Sequence, residues 1–328
     1  MDAISGANWL WVGFSVFILT MLSLDLGLFN RKAHTIKYRE AWIWSGVWVT
    51  LALIFAGLVF HYQGGDRGFE FLTGYIIELS LSVDNLFVFL LIFSYFKVPA
   101  KFQHRVLFWG VMGALFMRLT MIFVGAALIN RFHWIIYIFG AFLVYTGIKM
   151  FRHEDTDMQP DQTFIVRAVT RFLPISRHYD EQKFFTTING KRTGTLLLLV
   201  LVVVEFTDLV FAVDSIPAIF AITTDTFIVY TSNVFAILGL RSMYFLLAGV
   251  IDKFRYLRVG LAIVLTFIGI KMLLGAVHVK IETKFSLIFV GVILLGSVIA
   301  SMVIPAKPED KIDVDLPPEF EKKEESRL

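Results

Sequence analysis

Glu205-Phe-Thr-Asp208-Leu-Val-Phe-Ala-Val-Asp214-Ser215-Ile-Pro217 lies inside an apolar run extending from about residue 194 to 220. Hydrocarbon does not accept three carboxylates in a stretch of that length without compensation. Each costs roughly 2.5–3.5 kcal/mol at the centre of a spanning helix, even on the lenient insertion scale. Such groups must therefore face protein, an aqueous cavity or a bound cation. The stretch also has a counterpart, Glu78-Leu-Ser-Leu-Ser-Val-Asp84-Asn85, inside the run 69–95. In each, an acid, five residues and an aspartate are followed by a small hydrogen-bonding side chain.

The residues downstream of each stretch repeat as well. One deep arginine comes next, Arg118 or Arg241, and then Gly-Ile-Lys-Met, at Gly147 to Met150 and again at Gly269 to Met272. Charged residues at matching depth in three successive apolar runs point to a duplication. A three-span unit is odd-numbered, so its second copy enters the bilayer from the opposite side. The expectation is a pair of inverted-topology repeats, 69–151 and 194–277, an arrangement that secondary transporters use to build midplane sites.

The rest of the chain agrees with a membrane setting. Of 328 residues, 57% are hydrophobic and 17% charged, against roughly a quarter charged in soluble domains; mean hydropathy is +0.72. A span needs about 20 apolar residues at 1.5 Å rise each. Nine runs meet that need: 9–28, 42–61, 69–95, 105–129, 132–151, 194–220, 227–250, 257–277 and 285–304. The expected fold is thus all-α and polytopic, a transporter domain over 1–304 in which 9–61 and 285–304 flank the repeats. No cleavable leader is expected, because residues 1–8 lack a basic start.

Loop charge alternates in phase with nine spans. Arg31, Lys32, Lys37 and Arg39 follow span 1, Lys97, Lys101 and Arg105 follow span 3, and Lys253, Arg255 and Arg258 follow span 7. The intervening connections are poor in lysine and arginine, which places the N-terminus outside and the C-terminus in the cytoplasm of a bacterial inner membrane. Residues 152–193 form the long basic cytoplasmic loop. Within it Phe164, Ile165, Val169, Phe172 and Leu173 recur at helical spacing opposite Arg167 and Arg171, giving an interfacial amphipathic helix that ends near Pro174. Asn189–Gly190 suggests a tight hairpin turn. Residues 305–328, proline-rich with mixed charge, are expected to be a disordered cytoplasmic tail.

The candidate ligands are Glu78, Asp84, Glu205, Asp208 and Asp214, with Asn85 and Ser215 completing the set and Asp25 near the cytoplasmic end of span 1. Arg118 and Arg241 compensate charge, yet two guanidinium groups cannot neutralise so many carboxylates, so protons or cations must supply the remainder. Structural pairing is the plainer role for both arginines, and an interface salt bridge to Arg31 or Lys32 is the plainer role for Asp25. Residues six apart on a regular helix diverge by roughly 120° and about 9 Å, so both acids of a pair could approach one ion only where the helix is locally unwound, or where each acid reaches a different layer. Pro217, Ser80, Ser82 and Ala212 would allow that. Glu205 and Asp208, three apart, can share a face without distortion. An all-oxygen set suits Mn²⁺, Mg²⁺ or Ca²⁺, with organic cations and protons also open.

Several functions find no residues to carry them. Cysteine is absent, which removes disulfides, thiol redox chemistry and thiolate metal sites. The seven histidines, His34, His61, His104, His133, His153, His178 and His278, fall in loops or near span ends and give no pair of transmembrane haem ligands. No Ser–His–Asp constellation and no P-loop occur, so enzyme activity, ATP hydrolysis and a resident cofactor are not expected. The net charge of +3 is too small and dispersed for nucleic acid. The expected partners are a divalent metal ion, protons and membrane lipids, with assembly into a homo-oligomer left open.

Glu78 through Asn85, Glu205 through Pro217, and Asn233-Val-Phe-Ala-Ile-Leu-Gly-Leu-Arg241 resemble the TerC family of integral membrane proteins, and Leu24-Asp25-Leu26 is nearest its bacterial Alx-type members. The resemblance covers about residues 9–304. It implies a cytoplasmic-membrane exporter of manganese from a family formerly described as redox modulators and linked to tellurite resistance. It also implies a LysE-like core of inverted three-helix repeats. Cation export fits the carboxylates better than oxyanion or redox chemistry does. The alternative is a non-transporting membrane stress or assembly partner that uses its buried acids structurally.

Overall fold

A computed structural model describes residues 10–21, 38–132, 134–152, 164–176, 179–188, 190–248, 256–276 and 281–303. The chain divides into two units, Met1–Thr35 and Ile36–Leu328. The first contributes one described element, the apolar helix α1 (Leu10–Met21). Asp25 and the 305–328 tail lie outside the described residues.

The second unit runs α2 (Tyr38–Gln63), α3 (Gly65–Tyr95), α4 (Ala100–Arg131), α5 (Ile135–Arg152), α6 (Phe164–Phe172), β1 (Phe185–Ile188), β2 (Lys191–Gly194), α7 (Leu196–Phe220), α8 (Thr226–Ala248), α9 (Leu257–Ala276) and α10 (Thr283–Val303). Seven of the described helices, α2, α3, α4 and α7 to α10, are long and apolar enough to cross a bilayer. The other two expected spans correspond to shorter apolar helices, Leu10–Met21 and Ile135–Phe151. Leu53, Ile54, Phe116, Val124, Ile288 and Leu295 are exposed, as lipid-facing side chains of an integral membrane protein are. The helices α2, α3 and α4 start four or five residues earlier than the apolar pattern alone suggested. Pro99 precedes the first turn of α4, so Lys101 and Arg105 belong to that helix and not to the connection before it.

Local unwinding between the paired acids does not occur: α3 and α7 are continuous across them. Pro217 is accommodated inside α7 near its C-terminus, where the ring removes one amide donor without breaking the helix. Thr195 starts α7, its hydroxyl oxygen accepting from the Leu198 amide at 3.4 Å while its proton goes to the Lys183 carbonyl at 2.7 Å.

The helices pack in a crossed pattern: α3 against α8, α4 against α7, α5 against α9, and also α3 against α7 and α4 against α8. Outside this core, α2 lies on α3 and α8, and α10 on α3 and α9. The α5–α9 crossing is built on glycines. A Cβ at Gly269 would stand 2.7 Å from the Gly140 carbonyl oxygen and 2.8 Å from the Val144 nitrogen, and one at Gly147 would stand 2.8 Å from the Ala262 carbonyl oxygen. Without a hydrophobic driving force between helices in lipid, such backbone approach is a main source of association. Both Gly-Ile-Lys-Met motifs thus contribute their glycine to one contact.

The two ends of the bundle are tied differently. At the hairpin end, β1 and β2 pair antiparallel with Ile188 opposite Lys191 and Gly190 has φ +73°; Asn189, the other residue of the expected turn, lies outside the described residues. Tyr179 donates to the Phe96 carbonyl at 2.8 Å, and burial pushes its phenol pKa upward, so it stays a donor. At the far end, Arg67 reaches Asp225 at 2.9 Å and Glu70 at 3.3 Å. Thr223 donates to Glu70 at 2.7 Å, and Asp225 caps α8 through the amides of Phe227 (2.9 Å) and Ile228 (3.3 Å).

Gly269→Ala should lower stability by about 1–3 kcal/mol through overpacking of the α5–α9 crossing. Gly291→Ala, where nothing lies within 4 Å of the added carbon, should not. Thermal unfolding of the purified protein in detergent measures both.

Candidate cation site

Arg118 sits near the middle of α4 with 1% of its surface exposed, and four helices converge on it. From α3, Glu78 pairs with its Nη1. From α7, Asp208 accepts from Nη2 at 3.2 Å and from Nε at 3.4 Å, the two-pronged geometry that a guanidinium offers a carboxylate. Ser215 of α7 and Asn233 of α8 accept from Nη1 at 3.5 and 3.3 Å. Asn233 in turn donates to Glu78 at 2.9 Å. The network is compact, buried and shared across the crossed helices.

Helical geometry explains which residues meet. Seven residues on a regular helix turn by about 700°, only some 20° short of two full turns. Asp208 and Ser215 therefore share the face that meets Arg118. Glu78 and Asn85, 1% and 2% exposed, are related in the same way on α3. The six-residue partner points elsewhere: Asp214 is half-buried and accepts from Thr146 of α5 at 3.1 Å. Asp84 lies within α3, but its side chain is outside the described residues, as is Asp25 altogether.

Glu205, one turn before Asp208, faces α4. Its carboxylate lies where a Cβ on Gly113 would be, so only glycine at 113 leaves it that seat. Its Oε2 is buried with no hydrogen-bond partner among the described residues. Glu78 and Asp208 thus share the one guanidinium of Arg118, while Glu205, one turn along α7, lies against Gly113 of the same α4. Arg241 is not among the groups contacting Arg118. It lines a small cavity with Glu40, Trp44 and Trp48 of α2 and with Leu238 and Ser242 of its own helix. Among the described residues, no three His, Asp or Glu side chains are gathered as a ready-made metal-ligand group.

The Integral membrane protein TerC family model matches residues 63–309. The chain belongs to the TerC family. The match contains every residue of the Arg118 network. The chain is 50% identical over 312 residues to the "Uncharacterized membrane protein STKORF319" of Myxococcus xanthus, covering 95% of this chain and 97% of the relative. It is 49% identical over 309 residues to the "Putative membrane-bound redox modulator Alx" of Escherichia coli K12, with coverage of 91% and 96%. A Rickettsia bellii "Uncharacterized membrane protein" is 39% identical over 295 residues, with coverage of 89% and 97%. No solved structure matches this TerC chain.

Gly113 and Thr146 were invisible to motif reading. Neither carries charge, and each matters only through the acid it meets on another helix. Glu70 belongs to none of the motifs, and its role depends on Arg67 and Thr223.

Arg118→Ala should destabilise the TerC fold by about 3–5 kcal/mol, the cost of stranding a buried carboxylate pair. Combining it with Glu78→Gln and Asp208→Asn should recover part of the loss. Unfolding midpoints of the single and triple variants in detergent provide the comparison.

Proposed function

We propose that this protein is a secondary transporter that exports a divalent cation, Mn²⁺ foremost, across the bacterial cytoplasmic membrane with proton uptake. The observation that carries the reading is the excess of buried carboxylate around one buried guanidinium. In low dielectric such an excess calls for a cation or protons. Arg118 acts as a tethered stand-in for the cargo between Glu78 and Asp208. The arriving ion displaces it, taking Asp84, Asp208 and Asp214 as ligands and Glu78 or Glu205 as ligand or proton carrier. Asn85 and Ser215 complete or orient the shell, and Asp25 lines the cytoplasmic approach. Because no three acids are gathered around Arg118 as a finished cage among the described residues, the ion-bound arrangement requires the helices to shift.

The repeats would supply that motion, α3–α5 rocking against α7–α9 with α2 and α10 outside. Two features support inverted repeats. The packing is exchanged between halves, α3 on α8 matching α7 on α4. The contact of Gly140 with Gly269 is matched by that of Ala262 with Gly147, each pair being the other after a shift from one Gly-Ile-Lys-Met motif to its copy. In this reading the hairpin end faces the cytoplasm, the N-terminus lies outside and the C-terminus inside. A membrane potential negative inside opposes export by about 2.3 kcal/mol per charge per 100 mV, twice that for a divalent ion. Proton uptake offsets the difference.

A second reading draws on the Arg118 pairing itself: a non-transporting membrane partner whose acids hold helices together. The unpartnered Glu205 oxygen weighs against it, since a purely structural network would satisfy that group. The name of the Escherichia coli relative suggests redox modulation, but a chain with no cysteine offers no thiol of its own for that work.

Purified protein in liposomes loaded with a manganese-sensitive dye should move Mn²⁺, faster when an opposing proton gradient is imposed. Asp208→Asn and Asp214→Asn should each cut the flux by about 100-fold, as removal of a group ligating the cargo does, with the unfolding midpoint retained in Asp214→Asn. A folded wild-type protein that moves no divalent ion would refute the proposal.

A further inference from the structure

Buried polar groups on the two sides of Arg118 differ in one respect. On the far side they find partners, within their own helices or, for Thr223, on Glu70 of α3. Thr73 donates to the Phe69 carbonyl at 2.7 Å, Thr231 to Phe227 at 2.8 Å and Ser232 to Ile228 at 2.8 Å. On the hairpin side, Ser82 Oγ, Asn85 Nδ2 and Glu205 Oε2 are buried with no hydrogen-bond partner among the described residues. Ser82 and Asn85 are 0% and 2% exposed.

Their order along the axis is set by chain direction. Glu78 and Asp208 both touch Arg118 and mark one level. α3 runs toward the hairpin end, so Ser82 lies about 6 Å and Asn85 about 10 Å below that level at 1.5 Å per residue. α7 and α4 run away from that end, so Glu205 lies about 5 Å below the level and Gly113 about 7 Å. The unsatisfied atoms therefore form a descending series on one side of the network. A buried donor or acceptor left without a partner keeps the full penalty of its lost hydration. Native proteins meet that cost with ordered water or an ion.

We infer that Ser82, Asn85 and Glu205 line a hydrated track by which water and small cations reach Arg118 from the hairpin end, Gly113 making room for the Glu205 carboxylate. The mouth of the track is closed in this structure by an aromatic layer of Phe93, Phe102, Tyr244 and Phe245, all buried. Tyr244 is clasped to Gln103 by a 3.0 Å hydrogen bond, and Gln103 in turn donates to the Val98 carbonyl at 3.0 Å. Opening of that layer admits the ligand. The far end, tied by Arg67, Glu70 and Asp225, offers no corresponding series among the described residues. The purpose assigned to the track rests on the transport reading; its existence does not.

The chain has no cysteine, so single thiols can be placed at will. Ser82→Cys and Asn85→Cys, with Thr73→Cys and Ser232→Cys as far-side controls, are reconstituted and exposed to a cationic, membrane-impermeant methanethiosulfonate from each face. The expected result is modification of Ser82→Cys and Asn85→Cys from the hairpin face only. Adding Tyr244→Ala should raise their rates roughly tenfold by lowering the cost of local opening. Tyr244→Phe, which removes only the clasp, should raise them less, and serves if the alanine variant does not fold. If Ser82→Cys and Asn85→Cys stay unmodified in folded protein with the layer weakened, or react equally from the far face, there is no such track. Labelling needs no transport. A modified track without Mn²⁺ flux overturns the transport reading alone, and flux without modification overturns the track alone.

Discussion

A guanidinium in low dielectric cannot release its charge and cannot be left alone. Arg118 is held by Glu78, Asp208, Ser215 and Asn233, and in being held it fixes the relative depth of α3, α4, α7 and α8. Apolar packing in lipid gives helices little reason to prefer one register to another, because lipid tails are as apolar as leucine. The polar network supplies that reason. A slip of one turn along any of the four helices would leave a buried charge or amide unpaired.

The motif reading located these residues but not their pairing. Acid-to-acid spacing drew attention to the six-residue interval, and an unwound helix was the way to bring both acids to one ion. The helices are unbroken, so the seven-residue interval governs: Asp208 and Ser215 act together, while Asp214 turns to Thr146. The information was present in the arithmetic of 3.6 residues per turn. What one sequence could not supply was which neighbouring helix each face meets. The same limit explains Gly113, a residue without chemistry until Glu205 lies against it, and Arg241, whose surroundings depend on α2. Apolar runs, by contrast, need no partner to be recognised. They located the described apolar helices of the second unit to within a few residues, the early starts of α2, α3 and α4 apart.

The ends of the bundle obey different physics. The far end is held by charge: Arg67, Glu70 and Asp225 are partly exposed, so their attraction weakens with salt and their contacts can exchange with water. The hairpin end is held by apolar burial, with Leu90, Phe93, Phe102, Leu197, Tyr244 and Phe245 in one core cluster. A charged clasp and an apolar plug respond to different influences, ionic strength and protonation for one, packing for the other. Under the proposed transport cycle, alternate opening of the two ends does not then require that both answer to the same signal.

Coulomb's law gives a physical reason for the different surroundings of the two arginines. In the proposed duplication Arg118 and Arg241 occupy matching positions, yet the space between Glu78 and Asp208 takes only one guanidinium. Two of them about 4 Å apart would repel by roughly 4 kcal/mol even at an effective dielectric of 20. One must go elsewhere, and α2, which lies outside the repeats, provides the place by bringing Glu40, Trp44 and Trp48 to Arg241. With the second arginine elsewhere, Glu78 and Asp208 have Arg118 as their one ion-pair partner among the described residues. Had both arginines stayed, the centre would be nearly neutral and would have little hold on a cation. The flanking helix thus does more than add surface to the bundle, since by sequestering one positive charge it leaves the centre negative.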